Sequence, residues 1–479
     1  MPDAAGEPTP AKPPAAAEDR HIDWLPAGSW ILYDLANTIY AAAITYVLMP
    51  YFSDTYKYYT PIGVTQTLTM IASGFAVPMM ASICDRTGQT RLYLTIFTLV
   101  CIGSMFGWAL WTTEFALLAF LAIGGFAYQN SLVFYNALLP SVAPRSRTGL
   151  ISGLGVGLGY SGTIVTILIA LLLTKYFNLG FKATCGVCAA LFLLTAVPCL
   201  LFVKEKRHID RQPLSWAVVR ERGADLWGTI RAMPQHRTVM FFFLGNFFLV
   251  DVLNTAILYF AAFTQVIFKA QAEAGDLFLF GQQFDQSSTF AMIMGLALCS
   301  LALVFGSFSG WLSDRIHPLQ VLRGSGWCLL VGLVGAILTG GKSPALYLLT
   351  LGGAGAFGLA GIWTSGRKVL LLVAPQKDIA QYFGLYGITL KLSVIGSTTF
   401  ALVSDTIFKS EKAKLGFEVA QTKAQEIAVD LAQSHSQKVA IACQLIQLLV
   451  GLGLLYAIKW RDIPDQDLDD VIAAEIPAA

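Results

Sequence analysis

The sequence predicts an all-α membrane protein, with twelve transmembrane helices arranged as two pseudo-symmetric six-helix bundles. Three observations carry this reading. Of 479 residues, 55% are hydrophobic and only 13% charged, where soluble domains carry about 25% charged residues, and the mean hydropathy is +0.62. Apolar windows of membrane length recur along the chain. Short motifs of the first half return, in order, in the second.

Apolar runs of about 20 residues span the hydrocarbon core as helices. The first six windows lie roughly at 27–52, 62–84, 91–112, 115–140, 149–174 and 182–203. The second six lie roughly at 238–268, 288–312, 319–341, 344–374, 379–408 and 437–459. Residues 1–26, polar and Pro/Ala-rich without an apolar signal core, are expected to form a disordered tail; 460–479 form a second tail. The bundles are thus 27–203 and 238–459, joined by the linker 204–237 with its eight basic residues. The middle of that linker, from Leu214 through Trp216 and Trp227 to Ile230, has the amphipathic pattern of a helix lying along a membrane face. Residues 409–437 are expected to be a long loop. Lys and Arg gather on the side of the two termini, so the positive-inside rule predicts cytoplasmic termini, in a bacterial inner membrane.

The net charge of +2 is spread over loops rather than one basic face, so no nucleic-acid partner is expected. All eight cysteines fall in apolar segments, where they act as small apolar residues, and Cys185-x-x-Cys188 has no redox context. Gly157-x-Gly159-x-x-Gly162 matches a dinucleotide fingerprint only formally, since it stands inside an apolar helix with no strand before it. These glycines suit close packing of the fifth helix, and those from Gly352 to Gly361 suit packing and bending of the tenth. There is no Walker motif, metal-ligand spacing or nucleophile–base pairing, so neither a cofactor nor enzyme chemistry is expected.

The repeat centres on Asp34-Leu-Ala-Asn37-Thr38, which returns 217 residues later as Asp251-Val-Leu-Asn254-Thr255. Asp85-Arg86 returns as Asp314-Arg315 after 229 residues, and Val142-Ala143-Pro144 as Val373-Ala374-Pro375 after 231. A longer seventh-to-eighth connection, 269–287, accounts for the drift. An Asp at the centre of a membrane helix costs about 2.5–3.5 kcal/mol, so a chain that carries one twice is expected to use the charge. Asp251, 13 residues past Thr238, lies about 20 Å along its helix, near mid-membrane. Three cations also fall in apolar windows. Arg367, in register with Asn136, lies eight residues before Pro375, about 12 Å from the helix end. Lys368 suits snorkelling to the surface, and Lys391 suits either a site or a structural ion pair.

Gly310-Trp-Leu-Ser-Asp314-Arg315, and the weaker copy Ala81-Ser-Ile-Cys-Asp85-Arg86-Thr-Gly88, look like the signature that major facilitator transporters carry after helices two and eight. Parallel halves are also their plan. Asp85, Arg86, Asp314 and Arg315 are therefore gating candidates, since a carboxylate at a helix end can pair in one conformer and release in the other. In that fold the first, fourth, seventh and tenth helices line a central cavity. Asp34, Asn37, Asn136, Asp251, Asn254 and Arg367 all fall on those four and are expected to bind substrate or couple transport, with Lys391 a further candidate. Opposed carboxylates and cations suit a zwitterion or a proton-exchanging pair. Asp251 is the expected proton carrier, because burial disfavours a charged carboxylate, and Asp34 is expected to serve partly as a helix anchor.

Three further stretches resemble the unknown major facilitator family, which includes the autophagy-related vacuolar amino-acid effluxers. They are Trp30-Ile-Leu-Tyr33-Asp34-Leu-Ala-Asn37 with Pro50-Tyr51-Phe52; Tyr135-Asn136-Ala-Leu-Leu-Pro140 with Arg147 to Tyr160; and Gly366-Arg367 with Phe383-Gly384-Leu385-Tyr386 and Lys391. Leu35, Ser141 and Gly387 depart from the family pattern. The resemblance implies a monomeric secondary transporter that exports amino acids. Its expected partners are a small-molecule substrate, membrane lipid and protons. A proton-coupled importer of another metabolite is the alternative, and a transport-inactive receptor or scaffold is the alternative of another class.

Overall fold

A computed structural model describes residues 22–87, 89–142, 148–204, 228, 231, 234, 236–374, 379–417, 420 and 422–458. The tail 1–21, most of the linker 204–237 and residues 459–479 lie outside that description, as does the amphipathic stretch expected within the linker.

The chain is nearly all helix. The first bundle comprises α1 (Trp24–Tyr56), α2 (Thr60–Thr87), α3 (Thr90–Leu110), α4 (Glu114–Ala137), α5 (Thr148–Leu171, continued by a π-helical turn Leu172–Tyr176) and α6 (Phe181–Phe202). The second begins with α7 (Arg237–Ala274) and a two-stranded hairpin, Phe278–Leu279 against Gln282–Gln283. Then follow α8 (Ser287–Arg315), α9 (Pro318–Thr339) and α10 (Pro344–Val373). The eleventh span is broken into α11 (Ile379–Leu392) and α12 (Ile395–Lys414), and α13 (Lys423–Tyr456) closes the fold. Eleven spans among the described residues are long and apolar enough to cross a membrane; α2, with 28 residues, reaches about 42 Å and supplies the twelfth passage. Large apolar side chains such as Phe75, Phe115, Leu194 and Val304 stay exposed on the outside of the bundles, the pattern of a helix bundle bathed in lipid rather than water.

Local sequence explains most helix ends. Asp23 accepts the Leu25 N–H and Thr113 the Ala116 N–H as N-caps, satisfying donors that a helix start leaves without partners. Pro50, which has no N–H to give, follows a π-helical stretch Ile44–Leu48 in α1. The glycine-rich part of α10 is likewise π-helical, from Leu348 to Gly355.

The segment 409–437, expected as a loop, is mostly helix. Polar helical ends carry no hydropathy signal, but a Thr422/Gln425 capping box starts α13 there. Lys269 at the far end of α7 pairs with the buried Asp430 of α13, Nζ to Oδ2 3.0 Å.

Within the first bundle α1 packs on α5 and α6, and α3 on α4 and α6; within the second, α7 packs on α13 and α9 on α10. The bundles meet where α2 touches α11 and α12, α5 touches α8, and α1 touches α7. The α2–α12 seam is tight, because a Cβ on Gly63 would stand 2.8 Å from the Ser397 carbonyl oxygen.

Candidate functional site

The two copies of the Asp-x-x-Asn motif do different work. In the second bundle the eleventh span breaks at Ser393–Val394, which exposes carbonyls at the end of α11 and N–H groups at the start of α12. Side chains of α7 fill both gaps. The Gly396 N–H donates to Asp251 at 2.9 Å to Oδ1 and 3.0 Å to Oδ2, and Gln447 Nε2 of α13 donates to Oδ2 as well. One turn on, Asn254 Nδ2 donates to the Ser393 carbonyl at 2.7 Å. A Cβ on Gly396 would stand 2.8 Å from Asp251 Oδ2, so only glycine lets the carboxylate approach that closely.

Asp251 was expected to face the central cavity, and here the structure corrects the sequence. Its side chain is fully enclosed, at 0% exposure. Its lone pairs are taken up by donors that an apolar interior would otherwise leave unpaired.

In the first bundle α5 is unbroken, and Asp34 meets no such donors. It is half-buried and turned toward α5. Its Oδ2 lies 3.4 Å from where a Cβ on Gly155 would stand and 3.3 Å from the same point on Gly159. Among the described residues no hydrogen bond or ion pair holds this carboxylate. Around it are Trp30, stacked on Tyr135 at 4.3 Å and donating to the Tyr135 carbonyl at 3.0 Å, and the Tyr135 hydroxyl, which is buried without a partner. Neither polar atom of the Asn37 side chain, also buried, has a partner.

The cations separate in the same way. Lys368 donates to the Gly310 carbonyl and to Ser313 Oγ at 2.9 Å, tying α10 to the end of α8. Lys391 crosses between the bundles to Gln129 of α4, at 2.9 Å to Oε1 and 3.3 Å to the carbonyl. Arg367 and Asn136, which the repeat places in register, are both exposed. Of the gating candidates, Arg315 lies over the Trp311 ring at 4.6 Å. The side chains of Asp85, Arg86 and Asp314 lie outside the described set.

A cavity of about 280 Å³ opens between the bundles. Its walls include Tyr46 and Tyr160 from the first bundle and Thr255, Phe260, Trp363 and Gln444 from the second. None of the binding or coupling candidates, Asp34, Asn37, Asn136, Asp251, Asn254, Arg367 and Lys391, lines it, although Thr255 of the repeated motif and Tyr160 of the family-like stretch do. Tyr46 and Phe260 also meet edge to face at 6.2 Å. In the sequence these rings are indistinguishable from core aromatics, so no signal marked them. A second omission did carry a signal. Asp405, a third carboxylate inside an apolar window, binds the start of α2 across the seam.

The chain matches the model of the Major Facilitator Superfamily over residues 32–398. It is 21% identical over 437 residues to the MFS-type transporter YxiO of Bacillus subtilis strain 168, covering 85% of this chain and 97% of that protein. Its fold is similar to that of a bacterial homologue of the human lysosomal transporter Spinster in an inward-facing, unoccupied conformation, with a TM-score of 0.68 at 14% identity over 92% of this chain and 98% of that one. A variant of the nucleoside transporter NupG also gives a TM-score of 0.68, at 16% identity over 91% and 99% of the two chains. With its repeated halves, cavity between bundles and family match over most of its length, the chain belongs to the Major Facilitator Superfamily and is a multi-pass membrane transporter rather than an enzyme.

Proposed function

We propose that this transporter is a secondary carrier that moves a small solute by alternating access, with the solute seated in the cavity between the bundles. The carrying observation is that both bundles wall that cavity, so rocking one against the other changes which side it opens to. The seam is sealed on the face opposite the termini by contacts such as Thr67 Oγ1 to the Val394 carbonyl, 2.9 Å, and Thr398 Oγ1 to the Gly63 carbonyl, 3.1 Å. Toward the termini, Asn136 and Arg367 are open to solvent. With both termini cytoplasmic in a bacterial inner membrane, this is the inward-facing conformer.

The family resemblance favours export of amino acids, and the unpaired Asp34 is the carboxylate able to carry a coupling proton. A scaffold that had lost transport would gain nothing from an open cavity between its bundles or from an unpaired carboxylate within the first of them. The test is flux in proteoliposomes. Protein preloaded with a mixture of amino acids should drive counterflow of a labelled member, and an imposed proton gradient should concentrate it. Absence of flux across amino acids, organic acids, nucleosides and sugars alike would overturn the transporter reading for this conformer pair.

A further inference from the structure

The chamber and its mouth specify more than a small solute. The walls are rings and aliphatic side chains, and no carboxylate or cation is among them. Some of the polar wall groups are already bonded. Thr255 Oγ1 donates to the Asp251 carbonyl at 2.8 Å, Tyr46 meets Cys299 Sγ at 3.8 Å, and Gln444 Nε2 donates to the Gly396 carbonyl at 3.0 Å. Gln444 Oε1, buried without a partner, can accept from one neutral donor, and the wall hydroxyls of Thr45, Tyr160 and Thr163 are neutral groups that can add to it. The space of about 280 Å³ corresponds to about nine water volumes of ~30 Å³ each, enough for one ring or a branched aliphatic chain.

A charge waits at one end of this chamber. Arg367 lies four residues beyond the wall residue Trp363, hence on the same face of α10 and about 6 Å nearer the face of the termini. It is exposed, no carboxylate pairs with it among the described residues, and the wall residue Tyr160 lies within its electrostatic reach. Its planar guanidinium can hold a carboxylate through two parallel hydrogen bonds. The two intramembrane acids of the repeat are not among the chamber's walls: Asp251 is held by the Gly396 N–H, and Asp34, though unpaired, is turned toward the glycines of α5. An ammonium drawn into the chamber would lose its water and meet no counter-charge.

We propose that the solute is a carboxylate with an apolar, ring-sized body, recognised by its acid group at Arg367 and its body in the chamber, and not by an amino group. This rests on the cavity being the solute site. It narrows the amino-acid reading to bulky apolar members and extends it to their deaminated counterparts.

The test uses three-member series on the purified full chain: phenylalanine, 3-phenylpropanoate and 2-phenylethylamine, and leucine, 4-methylpentanoate and 3-methylbutylamine. Calorimetry should show both acids of each series binding within about threefold of one another, and the amines at least tenfold more weakly. Arg367→Gln should weaken the acids at least tenfold, Arg367→Lys less, and Trp363→Ala should weaken the aryl acids more than the aliphatic ones. Binding that needs the amino group, binding of the amines alone, unchanged affinity in Arg367→Gln, or no binding by any member would overturn the proposal. Counterflow on the same compounds separates the two readings. Acids that bind but do not move leave this substrate class standing and defeat transport through the cavity; compounds that move only when they carry an amine do the reverse.

Discussion

The carboxylate of Asp405 on α12 accepts the backbone N–H of Thr60, the first residue of α2, at 2.6 Å. The Tyr59 N–H and the Thr60 hydroxyl bind the same carboxylate. One bundle thus supplies the N-terminal cap for a helix of the other, placing a negative charge where the helix dipole favours it. Gln437 of α13 adds a bond of 2.6 Å to the Tyr59 hydroxyl. These contacts close the face opposite the termini.

Asp405→Ala should therefore open that face. Hydrogen bonds to a charged group contribute about 1.5–3 kcal/mol each, and a net loss of about 2 kcal/mol shifts a two-state population roughly 30-fold. A cysteine placed at Thr398 should be labelled faster by a membrane-impermeant reagent from that face. Unchanged labelling rates would show that the cap does not hold the gate.

Asp251 and Asp34 should separate cleanly when each is changed to Asn. Asp251→Asn loses the charge that holds Gly396 and should lower thermal stability by about 2 kcal/mol, with pH-gradient-driven flux surviving in proportion to folded protein. Asp34→Asn should leave stability nearly unchanged and abolish accumulation driven by a proton gradient, while counterflow persists. Gradient-driven accumulation at the original level in Asp34→Asn would return the coupling role to another group.

His317 gives a pH dependence outside the membrane. Its Nδ1 accepts the Leu319 N–H at 3.2 Å as the cap of α9, which requires a neutral ring. Burial, with the charge of Arg323 second, lowers its pKa below the ordinary value. A lowered pKa means the unfolded chain takes up the proton more readily, so stability is present above about pH 6.5 and lost as pH falls below it. His317→Asn keeps a capping oxygen that does not titrate. Thermal melts from pH 7 to 5 should show about 1 kcal/mol less loss in that variant than in the parent; equal losses would remove His317 from the account.

Asp430→Ala should loosen the helical ends beyond the membrane. It leaves Lys269 without the partner that receives it at 3.0 and 3.1 Å and should cost about 2 kcal/mol. Hydrogen exchange is expected to rise between 423 and 436 while the apolar half of α13 stays protected.

The architecture was legible because it rests on the two signals that lipid enforces, apolar length and the rarity of charge. The repeat of Asp34-x-x-Asn37 at Asp251-x-x-Asn254 correctly marked two matching places. What each place does was not legible, because it depends on whether the partner helix is whole. Nothing in Thr389 to Ile395 announces a break; no Pro or Gly stands there, and the exposed backbone is tolerable only because Asp251 and Asn254 arrive from 140 or so residues away. The chamber was hidden for a related reason. Tyr46, Tyr160, Phe260 and Trp363 become a site only when two bundles set them opposite one another.

α7 and α13 carry a mechanical consequence. With 38 and 34 residues they run about 57 and 51 Å against a hydrocarbon layer of about 30 Å. The same pair is pinned at mid-length, through Asp251 and Gln447, and again at its protruding tips, through Lys269 and Asp430. Two rods fastened at two heights tilt together as a rigid spar. Any swing that the second bundle makes about the chamber is therefore magnified at the spar's tip, in water, where a pair of dyes on the two bundles would read the position of the gate without touching it.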